Sequence, residues 1–170
     1  KEGLNPNDQF LSKIIRKSGK KFVVGVNKCD TPEHYIRKDQ FFDILKLRIE
    51  IFVVEQSCYY QELDNEDKEA FHVSIYNDGI IVAVGRIIPN LHNKEVKIGR
   101  IAVKMEHRKK GLAYKIMKDI MNFISKKYKN FSVLLSAQTY LIEFYQSFGF
   151  KEIGNTYLED GIEHINMVLK

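Results

Sequence analysis

Cysteine is scarce in this chain. Cys29 and Cys58 stand far apart, with no Cys-x-x-Cys or His–Cys spacing around either. That leaves out a disulfide framework and a thiolate zinc site, and reads as two reduced thiols. Long apolar runs are missing too. None approaches the roughly 18 residues that cross a bilayer, so no membrane partner is expected, and no basic-then-apolar leader stands at the start. The chain opens on Lys1 rather than Met, the expectation being a trimmed chain whose targeting segment could have been lost, with the cytoplasm as its compartment. His34, His72, His92 and His107 share no ligand spacing with one another or with carboxylates, so no metal is expected. Proline is rare, at three residues, and no repeat or low-complexity block appears, so residues 1–170 read as a single domain.

What the chain has is positive charge and a good core. The net charge is +5 and the pI near 9.0, which points to an anionic partner. The lysines are scattered rather than gathered into an arm, so nucleic acid is not the expected partner. Hydrophobic residues make up 44% of the sequence, enough for a globular core at this length.

Periodicity then places the elements. Phe10, Leu11, Ile14 and Ile15 predict a short helix over 9–17, and Lys21–Val26 reads as a strand; these fill an N-terminal extension over 1–38. Phe41, Ile44, Leu45, Ile49 and Phe52 predict an amphipathic helix over Gln40–Val54. The acidic stretch 61–67 reads as too charged for an element interior. Strands follow at Phe71–Tyr76 and Ile80–Ile88, joined by the hairpin signal Asn77-Asp78-Gly79, with Pro89 ending the second and Val96–Val103 forming a third. Lys110–Lys127 is the clearest helix, Val133–Leu135 a buried strand, and Leu141–Phe148 a helix closed by Gly149. Phe150–Tyr157 and His164–Leu169 finish as strands around Asp160-Gly161. The fold class is α/β, a mixed sheet flanked by helices.

The segment Arg108-Lys109-Lys110-Gly111-Leu112-Ala113 lies between a strand and the long helix. Free N–H groups and the helix dipole favour an anion there, Gly111 permits close approach, and Ala113 is small. Alone, such a turn is also an ordinary basic helix start. Its neighbours add weight. Val96–Val103, then Arg108–Ala113, then Phe144-Tyr145 and Gly149-Phe150 follow the motif order of the GNAT N-acetyltransferases. Val53–Gln56, Glu62-Leu63-Asp64, Ala137-Gln138, Phe144–Phe150 and Tyr157–Met167 most resemble the ElaA-type branch of that family. The resemblance spans about residues 40–168.

The resemblance implies a GNAT fold, with a sheet splayed between two parallel strands, here Ile98–Val103 and Val133–Ser136, and acetyl-CoA as co-substrate. Backbone groups of Ile101, Ala102 and Val103 would pair with the pantetheine arm, and Arg108–Ala113 would hold the pyrophosphate, with Gln138 and Phe144 also on the cofactor. Tyr145 falls at the family's tyrosine position and is the candidate acid for the departing thiolate. Many members carry a glutamate base on the strand before the turn, where this chain has Gly99-Arg100. Glu55, Glu62, Asp64 and His164 are left as candidates, His164 because imidazole ordinarily titrates nearest neutrality. Acceptor contacts are expected from Gln56, Glu62, Asp64, Arg100, Glu159 and Asp160.

The acceptor expected is the primary amine of a small molecule. Eukaryotic glucosamine-6-phosphate N-acetyltransferases share this size and the Phe-Tyr…Gly ending, which makes glucosamine 6-phosphate the specific expectation. A protein or peptide acetyltransferase, a non-catalytic acyl-CoA sensor and a basic nucleic-acid module are the rival readings, and the N-terminal helix would suit a homodimer contact.

Overall fold

The computed structural model describes residues 22–28, as backbone, and 38–170. The predicted helix over 9–17, Cys29 and His34 lie outside the described residues. Among the described residues seven strands make one sheet in the order β1-β2-β3-β4-β5-β7-β6. They are β1 (Phe22–Lys28), β2 (Phe71–Asn77), β3 (Ile80–Asn90), β4 (Glu95–Val103), β5 (Ser132–Gln138), β6 (Lys151–Glu159) and β7 (Ile162–Leu169). Every neighbouring pair is antiparallel except β4–β5, and the helix joining those two, α2 (Leu112–Lys127), is the crossover that a parallel pair requires.

Helix α2 follows from its own spacing. Leu112, Ile116, Met117, Ile120 and Ile124 recur every three or four residues, and all are buried against Phe71, Val73, Val96, Ile98, Val133 and Leu135. On the opposite sheet face, helix α1 (Lys38–Arg48) buries Ile44 and Leu47 against Ile81, Val84 and Ala102. Burying a full aliphatic side chain contributes about 1.5–3 kcal/mol, so these two layers dominate the packing.

Four local expectations are corrected. The predicted helix over Gln40–Val54 changes pitch, passing at Ile49–Glu55 into a π-helical segment. Pro89 does not end β3, which runs on to Asn90 with Pro89 opposite Val96. The helix expected over Leu141–Phe148 is shorter, a 3-10 turn at Thr139–Leu141 and then α3 (Ile142–Gln146). The acidic stretch is partly interior, with Glu62 4% and Asp67 2% exposed. Charge does not keep these two outside because arginines meet them there.

Candidate active site

The β4–β5 register runs from Glu95↔Ser132 to Ile98↔Leu135 and then stops. Beyond it Gly99–Val103 and Ser136–Gln138 diverge, leaving backbone groups of both strands without each other. A bulge on the far side of β4 aids the divergence. Val84 pairs with Ala102 and Arg86 with Gly99, so β4 carries one extra residue there, and Arg100 sits at φ 54°. A cleft of about 870 Å³ opens at the gap, walled by Ile101, Ser136, Gln138, Tyr145, Tyr157 and His164 among others.

The turn before α2 is a glycine-capped helix start. Gly111 is the N-cap at φ 75° with nothing within 4 Å of where a Cβ would stand. Lys109 is also left-handed, at φ 59°. The first N–H groups of α2 lack intrahelical partners by geometry. Lys109 and Lys110 are exposed, and Lys110 Nζ donates to Glu106 O at 2.8 Å. Leu112 contributes backbone only, since its side chain is buried in the core. Ala113 is half-buried, as is Phe144, which packs against Tyr145 and Phe148.

Arg108 points elsewhere. Its Nε donates to Val103 O at 3.0 Å, and its Nη1 and Nη2 donate to the two carboxylate oxygens of Glu55 at 2.6 Å each. Glu55 in turn holds the guanidinium in its charged form, raising the Arg108 pKa. The pair ties the π-helical segment to the end of β4. Beside it, Gln138 Nε2 donates to Gln56 Oε1 at 3.3 Å, and Tyr140 donates to Gln138 Oε1. Tyr140 was not singled out in the sequence, and no motif pointed to it.

Tyr145 is 6% exposed and lines the cleft. Burial, with a smaller contribution from Tyr140, pushes its phenol up to about 12. His164 also lines the cleft. Its Nδ1 lies 2.8 Å from Ile162 O. A carbonyl only accepts, so Nδ1 carries the proton and the neutral ring has its lone pair on Nε2.

The other acidic candidates are engaged. Arg48, 1% exposed, donates through Nε to Glu62 at 2.5 Å and through Nη1 to Asp67 at 2.7 Å. Arg100 Nε meets both Glu62 oxygens at 3.0 Å. Asp64 caps the 3-10 turn Asn65–Lys68 and accepts from Arg86 at 2.8 Å. Glu62 and Asp64 therefore serve as counter-ions to three arginines. Glu159 and Asp160, in contrast, line the cleft exposed, with no cationic partner among the described residues. Cys58 is buried on the same wall, and burial raises its thiol pKa. The described residues contain no metal-ligand cluster and no helix long and apolar enough to cross a membrane.

Known proteins share this fold. A family model described as an acetyltransferase (GNAT) domain matches residues 43–170. A UPF0039 protein of Schizosaccharomyces pombe is 38% identical over 133 residues, 77% of this chain and 88% of that protein. Protein ElaA of Escherichia coli is 36% identical over 131 residues, 75% of this chain and 86% of ElaA. The crystal structure of E. coli ElaA superposes with a TM-score of 0.81, covering 88% of this chain and 99% of that one. An acyl-CoA N-acyltransferase from Pseudomonas aeruginosa superposes with a TM-score of 0.80 at 32% identity, covering 86% of this chain and 98% of that one.

Proposed function

The chain belongs to the GNAT acetyltransferase family, in its ElaA-like branch, and on that premise we propose that it moves acetyl from acetyl-CoA to the primary amine of a small molecule by direct attack on the thioester. The observation that carries this is the parting of β4 and β5 after Ile98 and Leu135, into a cleft bearing both Tyr145 and His164. The basic turn at Lys109–Gly111 supports the CoA half, because pyrophosphate is the anion its N–H groups and lysines suit.

In the reaction the amine nitrogen bonds to the acetyl carbon as the carbon–sulfur bond breaks. The amine's proton passes to His164 Nε2 and then to solvent. Tyr145 donates a hydrogen bond to the departing sulfur. A phenol near 12 gives up its proton reluctantly to a thiolate of ordinary pKa about 8.5. Its work is charge stabilisation, and the thiolate takes its proton from water.

Glucosamine 6-phosphate stays the specific acceptor to test. Arg86 and Arg100 are matched to carboxylates, while Glu159 and Asp160 are not matched to cations. The amine half of that expectation is thus better supported than the phosphate half. Release of CoA thiol would be followed with glucosamine 6-phosphate, glucosamine, spermidine and a lysine peptide. Turnover with a small amine supports the proposal. Acetylation of peptide alone would make the chain a protein acetyltransferase, and tight acetyl-CoA binding with no turnover on any amine would make it a sensor.

A further inference from the structure

Strand β6 is the outer edge of the sheet, and every residue in it is exposed except Tyr157. The strand is bulged between Ile153 and Tyr157, with Gly154 at φ 76°, and rejoins the register with Tyr157 opposite His164. The two rings stack at 6.1 Å between centroids and 27° between planes. Tyr157 is itself pinned. Its hydroxyl donates to Asn166 Oδ1 at 3.2 Å, and lies 2.6 Å from Ser136 Oγ. A phenol has one proton, and the carboxamide oxygen takes it, so Ser136 donates to the phenol oxygen. Ser136 is the first β5 residue past the last β4–β5 pair. One aromatic side chain therefore connects the start of the gap to the imidazole in the cleft.

We propose that Tyr157 is the positioning residue for His164, holding its imidazole so that Nε2 faces the acceptor amine. The inference rests on the reading of His164 as base. The bond from Nδ1 to Ile162 O sets the tautomer, and it holds only while the ring keeps its tilt. The stacked phenol limits that tilt, and the Ser136 and Asn166 bonds hold the phenol. The phenol face also suits the imidazolium formed when the amine's proton arrives. Proximity gains depend on such fixed geometry, and are lost with small misplacement.

Two readouts test this on the full chain. Long-range nitrogen–proton NMR of histidine-labelled protein reads the His164 tautomer without any acceptor, and should show Nδ1–H dominant in the parent and a mixture in Tyr157→Leu. Turnover uses acetyl-CoA with the best amine among glucosamine, glucosamine 6-phosphate, spermidine and a lysine peptide. Tyr157→Leu should lower kcat about tenfold with the acetyl-CoA KM within about twofold, and add nothing further in a His164→Ala background. Tyr157→Phe keeps the ring and should recover most of kcat. An unchanged tautomer in Tyr157→Leu, or the same fold-loss with His164 absent, overturns the proposal. Full turnover in His164→Ala would instead remove the base reading beneath it, and is told apart because the NMR difference between Tyr157→Leu and the parent persists.

Discussion

Both terminal nitrogens of Arg108 close on both oxygens of Glu55, at 2.6 Å each, while the third nitrogen holds the carbonyl that ends β4. A carboxylate so bound is a poor base. The side chains are 38% and 30% exposed, so solvent screens the pair and it contributes at most about 1 kcal/mol. Glu55→Gln should therefore lower kcat by less than about tenfold and barely move Tm. Steady-state kinetics giving a loss of 10²-fold or more, the usual range for a lost base, would return Glu55 to catalysis.

At the proposed pyrophosphate turn, Gly111→Asp should weaken acetyl-CoA binding at least about tenfold, because a negative side chain would stand where the helix dipole favours an anion. Gly111→Ala separates the charge from the backbone. Nothing lies within 4 Å of its Cβ, so it meets only the strain of φ 75° and the loss of close approach. Calorimetry that finds parental affinity in a folded Gly111→Asp protein would move the pyrophosphate away from this turn.

For Tyr145, replacement by Phe should leave acetyl-CoA affinity intact and lower kcat about 10²-fold, on the scale of a lost transition-state donor. The phenol, raised to about 12, stays protonated through the working range. No alkaline fall of kcat below about pH 11 should trace to it, and parent and Tyr145→Phe should share the same alkaline limb there. A limb present only in the parent would assign the phenol a lower value.

Acid sensitivity of the fold should trace in part to His72. Burial holds its imidazole down to about 4, from an ordinary 6.5, despite the Asp67 carbonyl it faces. An unfolded chain takes up that proton below 6.5 and the folded one does not. The stability from neutral His72 is thus complete above 6.5 and is lost as pH falls toward 4, by up to about 1.4 kcal/mol per pH unit. Urea melts at pH 7 and pH 5 should separate more in the parent than in His72→Gln. Equal separations would discharge His72 from this role.

Arg48 anchors the buried carboxylates. Removing it in Arg48→Met leaves Glu62 and Asp67 short of a counter-ion, and breaking such a buried pair costs about 3–5 kcal/mol. Denaturant midpoints within about 1 kcal/mol of the parent would mean that Arg86 and Arg100 suffice, given the contacts they already make with Asp67 and Glu62.

Local chemistry made much of this legible in the chain. The run from Leu112 to Lys127 has a helical face, Asn77-Asp78-Gly79 is a hairpin turn, and Gly111 starts the long helix, each because its signal lies within a few residues. Long-range geometry decided the rest. The acidic stretch 61–67 looked like surface because nothing adjacent announces Arg48, Arg86 and Arg100, which reach Glu62, Asp64 and Asp67 from 14 to 38 positions away. Glu55 looked like a free carboxylate because Arg108 lies 53 residues off. Tyr157 lies in a segment that resembles the family, but its role beside His164 was not legible, since the stacking depends on a bulge two residues deep in strand pairing. Turn and helix preferences are set by neighbours along the backbone, whereas the partner of a charge or a ring is set by which strands the sheet brings side by side.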